Sequence, residues 1–128
     1  MACRISELVI DSRDPERLAA FWCDVLGYVV LDRVENSVEI GPEDVGFGGL
    51  QPTLVFDLTD KPKAGKLPLH VDCVNPTDRD QDGELERLLP VGAQPADMGQ
   101  TGKESWHVPA DPEGNEFCLL SRRLSASP

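Results

Sequence analysis

The residues able to do chemistry stand on three strand-like stretches: Ile5-Ser6-Glu7-Leu8-Val9, Pro68-Leu69-His70-Val71-Asp72-Cys73, and Glu116-Phe117-Cys118-Leu119-Leu120. Alternate residues of a strand share a face, so His70 projects with Asp72, and Glu116 with Cys118. An imidazole oriented by a carboxylate can ligate a metal, contact a substrate or act as a base. It can equally be a His–Asp pair on a solvated face or across a dimer seam, and the residues alone leave these open. Glu7 lies between Ile5 and Val9 on its face, which predicts at least partial enclosure. An enclosed carboxylate needs a partner or a raised pKa; a charge at a sheet edge or dimer seam is the other reading. Facing each other, Glu7 and His70 would form an acid/base pair or a two-ligand site. Cys118 offers a soft sulfur for metal or nucleophilic work. Its neighbours are apolar and no basic residue adjoins it to lower the pKa, so buried filler is expected. Glu116 reads as a pocket residue, a turn closure or a partner for an arginine. Trp106 would pack on a planar ligand or in the core, and His107, alternating with it, points outward.

These side chains must be positioned by strands and helices whose signals are local. Cys3 to Asp11 is a strand candidate. Asp14-Pro15-Glu16 opens a helix, with Asp14 at the N-cap, Pro15 at N1 and Glu16 favouring the positive end. Leu18, Phe21, Trp22 and Val25 recur at helical spacing and Gly27 closes the helix. Tyr28–Val34, Ser37–Ile40 and Thr53–Leu58 read as strands, and the glycine-rich stretch 41–51 as a loop. From Leu67 the order starts again. Leu67–Val74 is a strand with Leu69, Val71 and Cys73 on its buried face. A helix edged by Leu85, Leu88 and Leu89 stops near Gly92. Short strands are expected near 94–98 and 105–109. The turn Asp111-Pro112-Glu113-Gly114-Asn115 then feeds a closing strand from Glu116. The order is β-α-β-β-β twice, with Glu7 to His70 and Gly27 to Gly92 at offsets of 63 and 65 residues. Two similar half-domains suggest duplication of a unit that cannot bury its sheet alone. We read 1–128 as one domain, with module one at about 1–60, module two at about 66–121 and a polar tail at 122–128.

Composition bounds the partners. With 12 basic and 23 acidic residues the formal charge is −11, a field that disfavours nucleic acid and anionic membrane surfaces. No apolar run approaches the length of a membrane span. The cysteines at 3, 23, 73 and 118 contain no C-x-x-C pair, which excludes a zinc-ribbon or thioredoxin-type motif. Without a signal peptide pattern, reduced thiols and a cytoplasmic location are expected.

Asp14-Pro15-Glu16-Arg17-Leu18 with Phe21-Trp22 and Leu26-Gly27-Tyr28 resembles the first module of the vicinal oxygen chelate superfamily. That superfamily spans glyoxalase I, extradiol dioxygenases, fosfomycin-modifying enzymes and bleomycin-resistance proteins. His70-x-Asp72 and the stretch Asp111 to Cys118 resemble its second module, in the form of small bacterial glyoxalase-like domain proteins. The resemblance implies an α+β fold: two βαβββ modules forming a cupped mixed sheet around a central cavity, helices outside, usually as a homodimer. It implies a small-molecule ligand or substrate, with Trp106 near the mouth. Metal-using members hold a divalent ion with His, Glu or Gln from the first and last strands of each module. Carried over by residue, Glu7 and His70 occupy the first-strand ligand positions. The last-strand position of module two holds Cys118 in place of the usual Glu, with Glu116 two residues earlier on the same face. In module one, Thr53, Val55 and Asp57 share the equivalent face, and Asp57 is the plausible ligand. Two functions follow. One is a metal-assisted lyase, isomerase or dioxygenase using Glu7 and His70 with zinc, nickel, manganese or iron. The other is a metal-free protein that sequesters an antibiotic-type, cationic small molecule.

Overall fold

The computed structural model describes residues 2–43, 49–61, 63–65, 67–75, 80–95 and 106–123, with the backbone alone at Asn75, Gln81, Pro95, Trp106, His107 and 121–123. The chain is α+β and divides into two compact units, Met1–Pro62 and Lys63–Pro128. None of the described helices is long and apolar enough to cross a membrane.

Unit one runs β1 (Glu7–Ser12), α1 (Pro15–Leu26), β2 (Val29–Val34), β3 (Ser37–Gly41) and β4 (Thr53–Leu58). Its four-stranded sheet has the order β1-β4-β3-β2, with β1 and β4 parallel and the other pairs antiparallel. The helix forms where its signals stand. Asp14 accepts a hydrogen bond from the Arg17 amide, Pro15 needs no donor at N1, and Gly27 ends the helix at φ 69, its N–H donating to the Cys23 carbonyl. Leu18, Ala19, Phe21 and Trp22 are buried along one stripe of α1, which packs on β3 and β4, where Val38, Ile40, Leu54 and Phe56 are buried. The Phe21 and Trp22 rings meet edge to face at 5.5 Å, a geometry set by the ring quadrupoles. Gly41 is required by a close approach: a Cβ there would lie 2.7 Å from Leu31 Cδ1 and 2.8 Å from Thr53 Cγ2.

Unit two runs β5 (Val71–Asn75), α2 (Gln81–Leu88), a 3-10 turn (Leu89–Val91), β6 (Gln94–Pro95), β7 (Trp106–His107), β8 (Pro109–Ala110) and β9 (Phe117–Arg123). One sheet has the order β5-β9-β7, with β5 and β9 parallel and β7 antiparallel to β9. β6 pairs with β8, so residues 106–110 serve two neighbours in succession and the unit keeps a βαβββ-like plan. Phe117 and Leu119 are buried beneath α2 with Leu88.

Three sequence expectations need correction. The first strand begins at Glu7 rather than Cys3. Leu69 is exposed, because β5 starts only at Val71 and the residues before it do not pair. Arg122 and Arg123 belong to β9 rather than to a frayed tail, since the strand continues opposite Asn75. Residues 124–128 lie outside the described residues.

Candidate functional site

In unit two the parallel register sets Asp72 opposite Cys118, flanked by Val71 opposite Phe117 and Cys73 opposite Leu119. Phe117 and Leu119 face α2, so alternation turns Asp72 and Cys118 to the other side of the sheet. His70, just ahead of β5, joins them there: its Nε2 lies 3.2 Å from Asp72 Oδ1. The Cys118 thiol hydrogen-bonds the same carboxylate. His70 and Asp72 side chains are 44% and 50% exposed, whereas Cys118 is 5% exposed. Burial, then the Asp72 charge, push the Cys118 thiol up to about 11. Cys73 is pushed up to about 12, again first by burial, then by the nearby Asp72 charge. Neither is a ready nucleophile at neutral pH.

The turn ahead of β9 delivers the chain into that strand through its own hydrogen bonds. Asp111 is buried, and its carboxylate accepts from the Glu113 and Asn115 amides and from Asn115 Nδ2, each at 2.9 Å. Gly114, at φ 85, closes the turn with its N–H on the Asp111 carbonyl. An aspartate hydrogen-bonding the backbone ahead of it is the local chemistry that makes such a sequence turn.

One imidazole nitrogen, one carboxylate oxygen and one sulfur lie within 4.8 Å of one another at His70, Asp72 and Cys118. This donor set fits a divalent ion of the borderline type, for which nitrogen, oxygen and thiolate sulfur are all accepted ligands. Binding would require the Cys118 proton to leave, because thiolate is the ligating form.

The remaining sequence candidates sit elsewhere. Glu116 pairs with Lys63 Nζ at 3.2 Å and is largely buried; its partner is a lysine, not an arginine. That lysine also donates to the Gly65 carbonyl. Asp57, in unit one, is half-buried and accepts from Ser37 Oγ, its antiparallel neighbour on β3. Thr53 Oγ1 donates to Glu39 at 2.9 Å on the same sheet. Glu7 is exposed, contrary to the expected enclosure, as are Ile5 at 63% and Val9 at 56%. The reason is that α1 covers the opposite face, where Leu54 and Phe56 are buried. Glu7 belongs to unit one and His70 to unit two. Trp106 pairs in register with Leu120 on β9; its side chain and that of His107 lie outside the described residues.

Sequence reasoning missed Lys63 and the pairing of Asp72 with Cys118. A signal for the pairing was present. First and last strands pair in parallel at the same spacing of 46 residues in each unit, from Val9 to Val55 and from Asp72 to Cys118.

The profile of the family described as "Glyoxalase-like domain" matches residues 7–120. Among curated proteins none matches the sequence. Solved structures do resemble the chain. A fosfomycin resistance protein from Listeria monocytogenes, solved with Mn(II) and a dihydroxypropylphosphonic acid, aligns at TM-score 0.68 and 14% identity, over 97% of this chain and 94% of that one. A possible glyoxalase from Bacillus cereus aligns at 0.65 and 17% identity, over 93% and 99%. A glyoxalase/bleomycin resistance protein/dioxygenase family enzyme from Burkholderia phytofirmans aligns at 0.55 and 19% identity, over 89% and 94%. At such identities the likeness is one of fold.

Proposed function

The chain belongs to the glyoxalase-like domain family, and on that premise we propose that its two units are modules of one domain that binds an oxygen-bearing small molecule, with a divalent metal, at His70, Asp72 and Cys118. The observation that carries this reading is the 3.2 Å contact of His70 Nε2 with Asp72 Oδ1 beside the buried Cys118 sulfur. A bound ion would supply a Lewis acid to polarise a substrate oxygen, as lyase and isomerase chemistry requires, whereas dioxygenase chemistry would need a redox-active ion such as iron. Before an ion enters, the 3.2 Å Nε2–Oδ1 contact with Asp72 holds the His70 ring in place. The exposed edges of His70 and Asp72 leave substrate a way in, while the buried Cys118 shields that side from water. Glu7, the first-strand carboxylate of unit one that the resemblance marks, is proposed by itself as an acid/base group. Support for an oxygenated ligand comes from the Listeria protein of like fold, solved with manganese and a hydroxylated phosphonate. We place the protein in the cytoplasm as a homodimer.

Metal per chain, measured by plasma mass spectrometry on untagged protein purified without chelator, tests the proposal. Near-stoichiometric zinc, nickel, manganese or iron that disappears in His70→Ala is the expected result. A Glu7→Gln/His70→Ala variant should lose both binding and turnover with its fold intact; unchanged activity would sink the enzymatic reading.

A second reading, a metal-free protein that sequesters a cationic molecule, is favoured by two observations. A thiol whose pKa burial and the Asp72 charge push up stands at the last-strand ligand position, and the chain carries a charge of −11. Salt-sensitive binding of basic amphipathic compounds to metal-stripped protein in a thermal-shift screen would support it, and a blank screen would count against it.

A further inference from the structure

We infer that the His70–Asp72–Cys118 site selects a thiophilic divalent ion of the zinc type over manganese or magnesium, with Cys118 sulfur as the discriminating ligand and one side left open to an incoming anion. The inference rests on the metal reading above. Magnesium and manganese are best served by oxygen donors, whereas zinc and cobalt accept sulfur, nitrogen and oxygen together. Here the three donors are of three kinds and lie within 4.8 Å. The sulfur is also held in place. Cys118 sits directly opposite Asp72 in the parallel ladder, and its neighbours Phe117 and Leu119 are 0% and 1% exposed under α2. Moving Cys118 away from Asp72 by more than a side-chain rotation would therefore mean shifting the register of a buried strand.

Exposure is divided in a way that suits a reactive ion. Cys118 is 5% exposed, while His70 and Asp72 stand about half open to solvent. Three protein ligands with a solvent-facing position mark working zinc sites, in contrast to the closed four-ligand shell of structural ones. The open position takes an anionic oxygen or sulfur atom of a ligand.

The test uses the full chain, stripped of metal and loaded with Co(II) as a spectroscopic probe. One equivalent should produce a near-ultraviolet sulfur-to-cobalt charge-transfer band, removed by added zinc or cadmium but not by manganese. Cys118→Ser should abolish the band and weaken zinc by at least ~10-fold, the lower range for loss of a supporting group at a metal site. Asp72→Asn, a change at an exposed side chain, should weaken zinc while the cysteines stay intact, which separates ligand loss from misfolding. A band that persists in Cys118→Ser, cobalt held without such a band, or manganese bound as tightly as zinc would overturn the inference and leave the metal reading standing. Failure to take up any divalent ion would overturn both.

Discussion

The two units run the same strand pairing to different ends. In unit one, β1 and β4 set Glu7 opposite Thr53, Val9 opposite Val55 and Asp11 opposite Asp57. In unit two, β5 and β9 set Asp72 opposite Cys118 at the matching place, with His70 just ahead of the strand. Both pairs bury the helix-facing side, with Phe56 at 0% in one unit and Phe117 at 0% in the other. On the side away from the helix they diverge. Unit one ties its acids into hydroxyl hydrogen bonds, Ser37 to Asp57 and Thr53 to Glu39. Unit two gathers an imidazole, a carboxylate and a thiol onto one spot. The helix-facing side is constrained by packing, and that constraint recurs in both copies. The opposite side is less constrained, and there, among the described residues, unit two has gathered ligand-type donors.

That comparison can be broken at its root by core truncation. Phe56→Ala and Phe117→Ala should each destabilise by about 3–5 kcal/mol, the usual range for emptying a buried aromatic site. Urea denaturation measures both, and a loss below ~1 kcal/mol in either would show that the two sheets are not equivalently buried.

A smaller effect is expected at the turn that leads into β9, the strand whose register sets Cys118 opposite Asp72. Asp111→Ala leaves the Glu113 and Asn115 amides without their carboxylate and should cost about 1–3 kcal/mol. It should also weaken metal uptake, because Cys118 reaches Asp72 only through that register. Stability lost with metal uptake unchanged would separate the turn from the site.

The smallest effect sharpens the difference in thiol chemistry. Folded Cys118 and Cys73 bind their protons more tightly than an ordinary thiol at 9.0. The stability they contribute is therefore fully present below pH 9 and is lost as pH rises through about 11 and about 12. Metal-stripped protein should weaken over that alkaline window. Cys118→Ala should shallow the decline up to about pH 11, and Cys73→Ala should shallow it over the whole window up to about pH 12; a decline unchanged in both variants would refute the assignment.

Much of the fold was legible because its signals are local. Asp14, Pro15 and Gly27 start and stop α1 by backbone chemistry that needs no distant partner, and the Asp111–Asn115 turn is written in its own side chains. The repeat of β-α-β-β-β was readable for the same reason, and so was the burial of Phe21, Trp22 and Cys118. Where the reading failed, the missing quantity was a tertiary one. Enclosure of Glu7 was inferred from its apolar neighbours Ile5 and Val9, but alternation cannot say which face a helix will cover. Glu116 found Lys63, a partner 53 residues away in the chain.

Family, order of elements and the types of donor at 70, 72 and 118 can be read from the residues alone. These follow from short-range propensity and from motifs a few residues long. That Asp72 and Cys118 are direct cross-strand neighbours, and that His70 closes on the same carboxylate, depends on the folded sheet. Pairing register is set by the simultaneous burial of Phe117 and Leu119 under α2, a condition no single strand carries in its own residues.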